Sequence, residues 1–120
     1  MTMKTSNTLL AIFSMILIVI SSCGMKIENA GTETAKVYGN CGMCKELIEK
    51  TGNEPGASKV VWNQATQVAT ITYNPSKTSM DEILKRIAAV GYDNERFNAP
   101  DDVYGNLHSC CKYERPSRKP

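Results

Sequence analysis

The residues of this chain best suited to chemistry are its thiols. Cys41-Gly42-Met43-Cys44 sets two of them three residues apart across a glycine-containing step. Two thiolates at that spacing can converge on one soft ion. Cu(I) and Hg(II) accept two sulfur ligands in near-linear geometry, and sulfur selects such ions over Mg(II) or Ca(II). A closed Zn(II) site wants four protein ligands, and this loop offers two. The same pair has two other uses: a plain disulfide in an oxidising compartment, or dithiol exchange catalysis. A second concentration lies near the other end, in Leu107-His108-Ser109-Cys110-Cys111-Lys112-Tyr113. It joins the chain's one histidine to two thiols, all soft or borderline metal ligands. Adjacent cysteines rarely bridge each other, because disulfide geometry strains the peptide between them. His108, Cys110 and Cys111 therefore have three roles open: extra ligands for the loop, a separate metal site, or structural cover with a buried thiol.

These side chains need a scaffold, and the hydrophobic pattern supplies one. Residues 34–38 alternate as a strand with Ala35 and Val37 inward. The cysteine loop follows, and Cys44, Leu47, Ile48 and Thr51 then share one helical face up to Gly52. Residues 58–62 and 67–73 form a hairpin about the turn at 63–66, with Val60 and Trp62 on one face and Ala69, Ile71 and Tyr73 on another. Ser79 and Glu82 are spaced as a capping box before the apolar stripe Met80, Ile83, Leu84, Ile87 and Ala88. Residues 92–97 suit a short last strand. The order strand–helix–strand–strand–helix–strand predicts an α+β, ferredoxin-like βαββαβ sandwich over residues 34–97. Residues 98–120 form an extension. A short helix starting near Asp101 and Asp102 is expected there, buried through Val103, Tyr104, Leu107 and Cys110 or Cys111. The basic end from Arg115 reads as disordered. Elsewhere the bland readings hold: Trp62 and Tyr73 as packing, and Glu46 and Lys50 as a helical salt-bridge pair.

Taken together, residues 36–97 resemble a heavy-metal-associated domain. That family includes copper chaperones, the metal-binding modules of P-type ATPases and the periplasmic mercuric-ion binding protein. The resemblance rests on Gly39-Asn40-Cys41-Gly42-Met43-Cys44, on Leu47-Ile48, on Ile71-Thr72-Tyr73 and on Ala89-Val90-Gly91-Tyr92. It implies that Cys41 and Cys44 bind the metal and that Tyr92 packs beside the loop. It also implies a soft cargo, Cu(I) before Hg(II) with Zn(II) or Cd(II) behind, passed to a transporter or efflux component. The methionine usual two residues before the first cysteine is replaced by Gly39; here a methionine, Met43, stands between the cysteines. A thioredoxin-like dithiol enzyme would instead show a tryptophan before Cys41, where Asn40 stands.

Composition agrees with a carrier. The chain has 120 residues, a net charge of +2 and 7% aromatics, which gives neither the field nor the stacking surface expected for nucleic acid. A domain this small has no room for a deep substrate pocket, and no nucleophile–His–acid triad or phosphate loop is present, so no enzyme is expected. The cysteine count is five, an odd number. Residues 9–20 are apolar at eleven of twelve positions, behind a start that carries Lys4. This is the pattern of an export signal, shorter than the roughly 20 apolar residues that span a bilayer. Its exit, Ile20-Ser21-Ser22-Cys23, resembles the lipobox of bacterial lipoproteins. The resemblance implies a signal over residues 1–22, lipid on Cys23, a tether over 23–33, and a cell-envelope protein facing the periplasm or the surface. Several acyl chains anchor stably, at about 0.8 kcal/mol per buried CH₂. Palmitate should then label the wild-type chain and not Cys23→Ser; equal labelling of both would remove the anchor.

Overall fold

The computed structural model describes residues 26–116. The expected signal segment and Cys23 lie outside the described residues, as do residues 117–120. Among the described residues no helix is long and apolar enough to cross a membrane.

Three antiparallel strands, β1 (Gly31–Lys36), β2 (Ser58–Asn63) and β3 (Val68–Tyr73), form a sheet in the order β1-β3-β2. β3 is central, with Ala69 opposite both Ala35 and Trp62. The hairpin turn forms because the Asn63 side-chain oxygen accepts from the Ala65 and Thr66 amides. α1 (Gly42–Gly52) and α2 (Met80–Ala89) cover the sheet. Ile48 of α1 and Ile83, Leu84 and Ile87 of α2 are fully buried with Val60, Trp62, Ala69 and Ile71. The strand periodicity of two and the helix periodicity of 3.6 thus meet in one core, giving an α+β, ferredoxin-like fold. Ser79 caps α2, accepting from the Glu82 amide at 3.2 Å, but the Glu82 carboxylate turns to Thr78 instead of closing the box.

The fourth strand is curtailed. Val37 and Asn94 make an isolated bridge; the Tyr38 amide donates to the Asp93 carbonyl and the Glu95 amide to the Lys36 carbonyl. Pairing stops there because the Asn94 side chain caps a tight turn, accepting from the Arg96 and Phe97 amides. Local side-chain bonding of this kind competes with a ladder. β1 in turn begins at Gly31, inside the segment expected to be tether. Thr32 meets Thr72 across the strands, and Tyr73 hydrogen-bonds Glu33, so pairing extends where only polar residues mark it.

The extension is not one helix. α3 (Asp101–Gly105) ends at Asn106, and Cys110 and Cys111 sit on a separate 3₁₀ turn, Ser109–Cys111. Nor does disorder begin at Arg115. Its guanidinium reaches Asp93 at 2.7 Å and Asp101 at 2.7 Å, and lies over the Tyr104 ring. Tyr113 is buried; its hydroxyl donates to the Gly91 carbonyl and accepts from the Asp93 amide, both at 2.7 Å. Gly91 is needed here: its φ is +116°, and a Cβ would lie 2.9 Å from Leu107. The expected Glu46–Lys50 pair is replaced by Lys45–Glu49 at 2.6 Å, with Lys45 also donating to the Trp62 carbonyl.

Asp93 sets an acid limit on this docking. Burial pushes its carboxyl up, but the Arg115 hydrogen bonds and the Ala99 amide outweigh it and hold the carboxyl below its ordinary value. A folded value below the unfolded one stabilises at neutral pH, and that contribution is lost as pH falls through the lowered value. Arg115→Gln should cost about 2 kcal/mol at pH 7, and the gap from wild type should close in acid. Thermal unfolding at pH 7 and pH 2 measures it; a gap independent of pH would contradict the pairing.

Candidate metal centre

The loop between β1 and α1 is held from below and behind. Gly39 is buried, and a Cβ there would lie 2.9 Å from the Trp62 ring and 3.3 Å from Cys44 Cβ. A glycine at this position therefore lets the backbone rest on the indole. Trp62 is fixed in turn by its Nε1–H donating to the Val37 carbonyl at 2.9 Å. Gln67 donates to the Gly39 carbonyl at 2.7 Å and Gln64 to the Asn40 carbonyl at 3.1 Å. Cys41 occupies the N-cap position of α1, and Cys44 lies in its first turn, fully buried.

The tail closes over this loop. Cys41 Sγ lies 3.6 Å from Cys44 Sγ, 3.4 Å from Cys111 Sγ and 3.0 Å from Cys110 Sγ. Cys110 Sγ lies 4.0 Å from Cys111 Sγ and 3.6 Å from Met43 Sδ. All four thiols are free. The sulfurs of Cys41, Cys44 and Cys111 lie within 4.8 Å of one another. Ligands around one tetrahedral ion with metal–sulfur bonds of about 2.3 Å would stand roughly 3.8 Å apart, so this triangle is close to the size an ion requires. Asn40 secures the arrangement by donating to the Cys110 carbonyl at 3.2 Å.

The residues marked in the sequence thus divide. Cys41, Cys44, Cys110 and Cys111 come together. His108 does not join them: it is exposed and lines a shallow recess with Met43, Leu47 and Cys111. Tyr92, fully buried, packs against the thiols, and burial first, then Cys111, pushes its hydroxyl well above the ordinary tyrosine value. The sequence assigns no contact role to Asn40, Gln64, Gln67, Tyr113 or Arg115. Their contacts join segments 24 to 70 residues apart or fix the tail, and no local pattern records them.

The thiols differ electrically. The Cys110 thiol beside it, then the Cys44 amide at the helix start, lower Cys41 from its ordinary value to about 6, against a smaller opposing effect of burial. Burial pushes Cys111 up, with the Cys44 and Cys41 sulfurs adding to the effect, and Cys41 pushes Cys110 up. The site therefore sets one ready thiolate, Cys41, beside Cys110 and Cys111, which release protons when an ion takes their sulfurs.

Known proteins match this domain. Over 75 residues the chain is 37% identical to the copper-exporting P-type ATPase of Staphylococcus saprophyticus, a stretch covering 62% of this chain and 9% of that protein. The corresponding ATPase of Staphylococcus haemolyticus is 35% identical over 76 residues, covering 62% and 10%. The solved structure of the CopZ metallochaperone superposes with a TM-score of 0.50 at 26% identity, covering 53% of this chain and 98% of that one. This chain carries a heavy-metal-associated domain. It spans about a tenth of the length of the curated ATPases it matches. No family profile matches the chain. The described heavy-metal-associated domain is extended by a tail that returns two thiols to its own loop.

Peptide-mapped alkylation with iodoacetamide should show Cys41 half-reactive near pH 6 in the reduced apo protein, against about 8.5 for an ordinary thiol. Cys110→Ser should move that midpoint upward. A wild-type midpoint above 8 would contradict the thiol cluster as described.

Proposed function

We propose that this protein captures a soft metal ion through Cys41 and Cys44, with Cys111 as a third thiolate, and passes it to a transporter or efflux component. The observation that carries the reading is the convergence of those three sulfurs within 4.8 Å, two of them buried. Soft d¹⁰ ions suit an all-sulfur triangle. Cu(I) is the first cargo, supported by copper in the names of the ATPases and by the likeness to CopZ; Hg(II) is the second. Zn(II) and Cd(II) rank lower, because they favour four tetrahedral ligands and the triangle presents three; the nearby Cys110 is what would raise them. Transfer proceeds by ligand exchange: a partner thiolate binds the ion before Cys41 or Cys111 lets go, so bare metal is never released. The role is that of a carrier, not an enzyme. Lipid on Cys23 would hold it in the bacterial cell envelope, within reach of a membrane transporter.

One observation favours a second reading. A thiolate at Cys41 surrounded by three thiols is also equipped for thiol–disulfide exchange. Insulin reduction with turnover and no metal uptake would support that reading over the first.

Anaerobic competition against a Cu(I) chelator tests the carrier reading. Cys44→Ser should weaken Cu(I) binding by on the order of 100-fold or more, and Cys111→Ser by roughly tenfold, the range expected when a ligand or its support is lost. Zn(II) bound more tightly than Cu(I), or affinity unmoved by Cys44→Ser, would contradict it.

A further inference from the structure

The sulfur cluster is larger than one three-coordinate ion can use. Beyond the Cys41–Cys44–Cys111 triangle, Cys110 and Met43 form a sulfur edge of 3.6 Å, and Cys110 also lies 3.0 Å from Cys41. We propose that Cys41, Cys110 and Met43 make a second position for a soft monovalent ion, so that the chain holds two Cu(I)-class ions joined by a bridging Cys41 thiolate. This rests on the carrier reading and extends it.

Four points support the pairing. Cys41 is central, with its sulfur within 3.6 Å of each of the other three cysteine sulfurs, as a bridging thiolate would be. The sulfur inventory closes: four thiolates and one thioether, with one thiolate shared, give each of two ions three ligands. Charge permits two cations as well. Three thiolates around the first monovalent ion leave a net charge of −2, and a second ion that binds as Cys110 gives up its proton adds no further negative charge at a partly buried site, where uncompensated charge is costly. Met43 is otherwise an anomaly, a large apolar side chain 47% exposed in the first turn of α1. A thioether is a suitable soft donor for this class of ion.

The two positions differ in access. Cys44 and Cys111 are buried, whereas Cys110 and Met43 are exposed. The outer ion would leave first to an incoming thiolate, and the inner one would stay under the tail. Asn40 holds the Cys110 backbone against the loop, so the outer position does not depend on the Cys110 side chain being buried.

Native mass spectrometry of the full chain, reduced and titrated anaerobically with Cu(I) under a competing chelator, tests the proposal. Two Cu(I) per monomer are expected for wild type, and one for the Cys110→Ser/Met43→Leu double variant. Both side chains are exposed, so the variant retains the core, and far-UV circular dichroism should be unchanged. Wild type saturating at one Cu(I), or the double variant still taking two, would overturn the second position while leaving the carrier reading intact. A chain that takes up no Cu(I) would overturn the carrier reading itself. A single Cd(II) engaging all four thiols, together with a Cu(I) limit of one, would replace the pair by one four-sulfur site.

Discussion

Tyr113 places its phenol oxygen between the carbonyl of Gly91 and the amide of Asp93, and the site depends on that bridge. Both backbone groups belong to the segment that follows α2, where it makes its brief bridge to the chain just past β1. The bridge is buried, and such a polar connection is expensive to break once water is excluded. Arg115 reinforces it from the next turn of chain through Asp93 and Asp101. With Tyr113 fixed, the chain before it has little freedom, and the 3₁₀ turn sets Cys111 into the core beside Tyr92 and Cys44.

The result is a metal loop with two kinds of support. Trp62, Gly39 and the two glutamines make the floor, which belongs to the sheet and α1. The tail makes the roof: Cys111 and Tyr113 pack into the edge of the core, and the Tyr113 and Arg115 hydrogen bonds fasten it. A floor in the sheet and a roof on a terminal segment can open at different free energies. A carrier needs that combination: retention of the ion in transit, and a route by which a partner's thiolate reaches it.

Much of the scaffold was legible in the sequence because its information is local. Val60 and Trp62, Ala69 and Ile71, and the α2 stripe announce their faces by spacing alone, and Cys41 and Cys44 announce themselves by type and position. The rest was hidden for identifiable reasons. The last strand has strand-like composition, but Asn94 prefers its own turn. The polar start of β1 gives no alternation because only Ala35 is buried. Cys110 and Cys111 could be marked as ligand types, but their meeting with Cys41 spans about 70 residues and rests on Tyr113 and Arg115, which no short pattern distinguishes. His108 shows the converse: a good ligand type beside two thiols, placed by the 3₁₀ turn on the exposed side.

The central claim is that tail and loop together present three thiolates to one soft ion. X-ray absorption of the reduced chain carrying one equivalent of Cu(I) measures the coordination directly. The account predicts three sulfur neighbours, falling to two in Cys111→Ser. Two sulfurs in wild type, with no change on replacing Cys111, would contradict it and leave the tail as a structural cover.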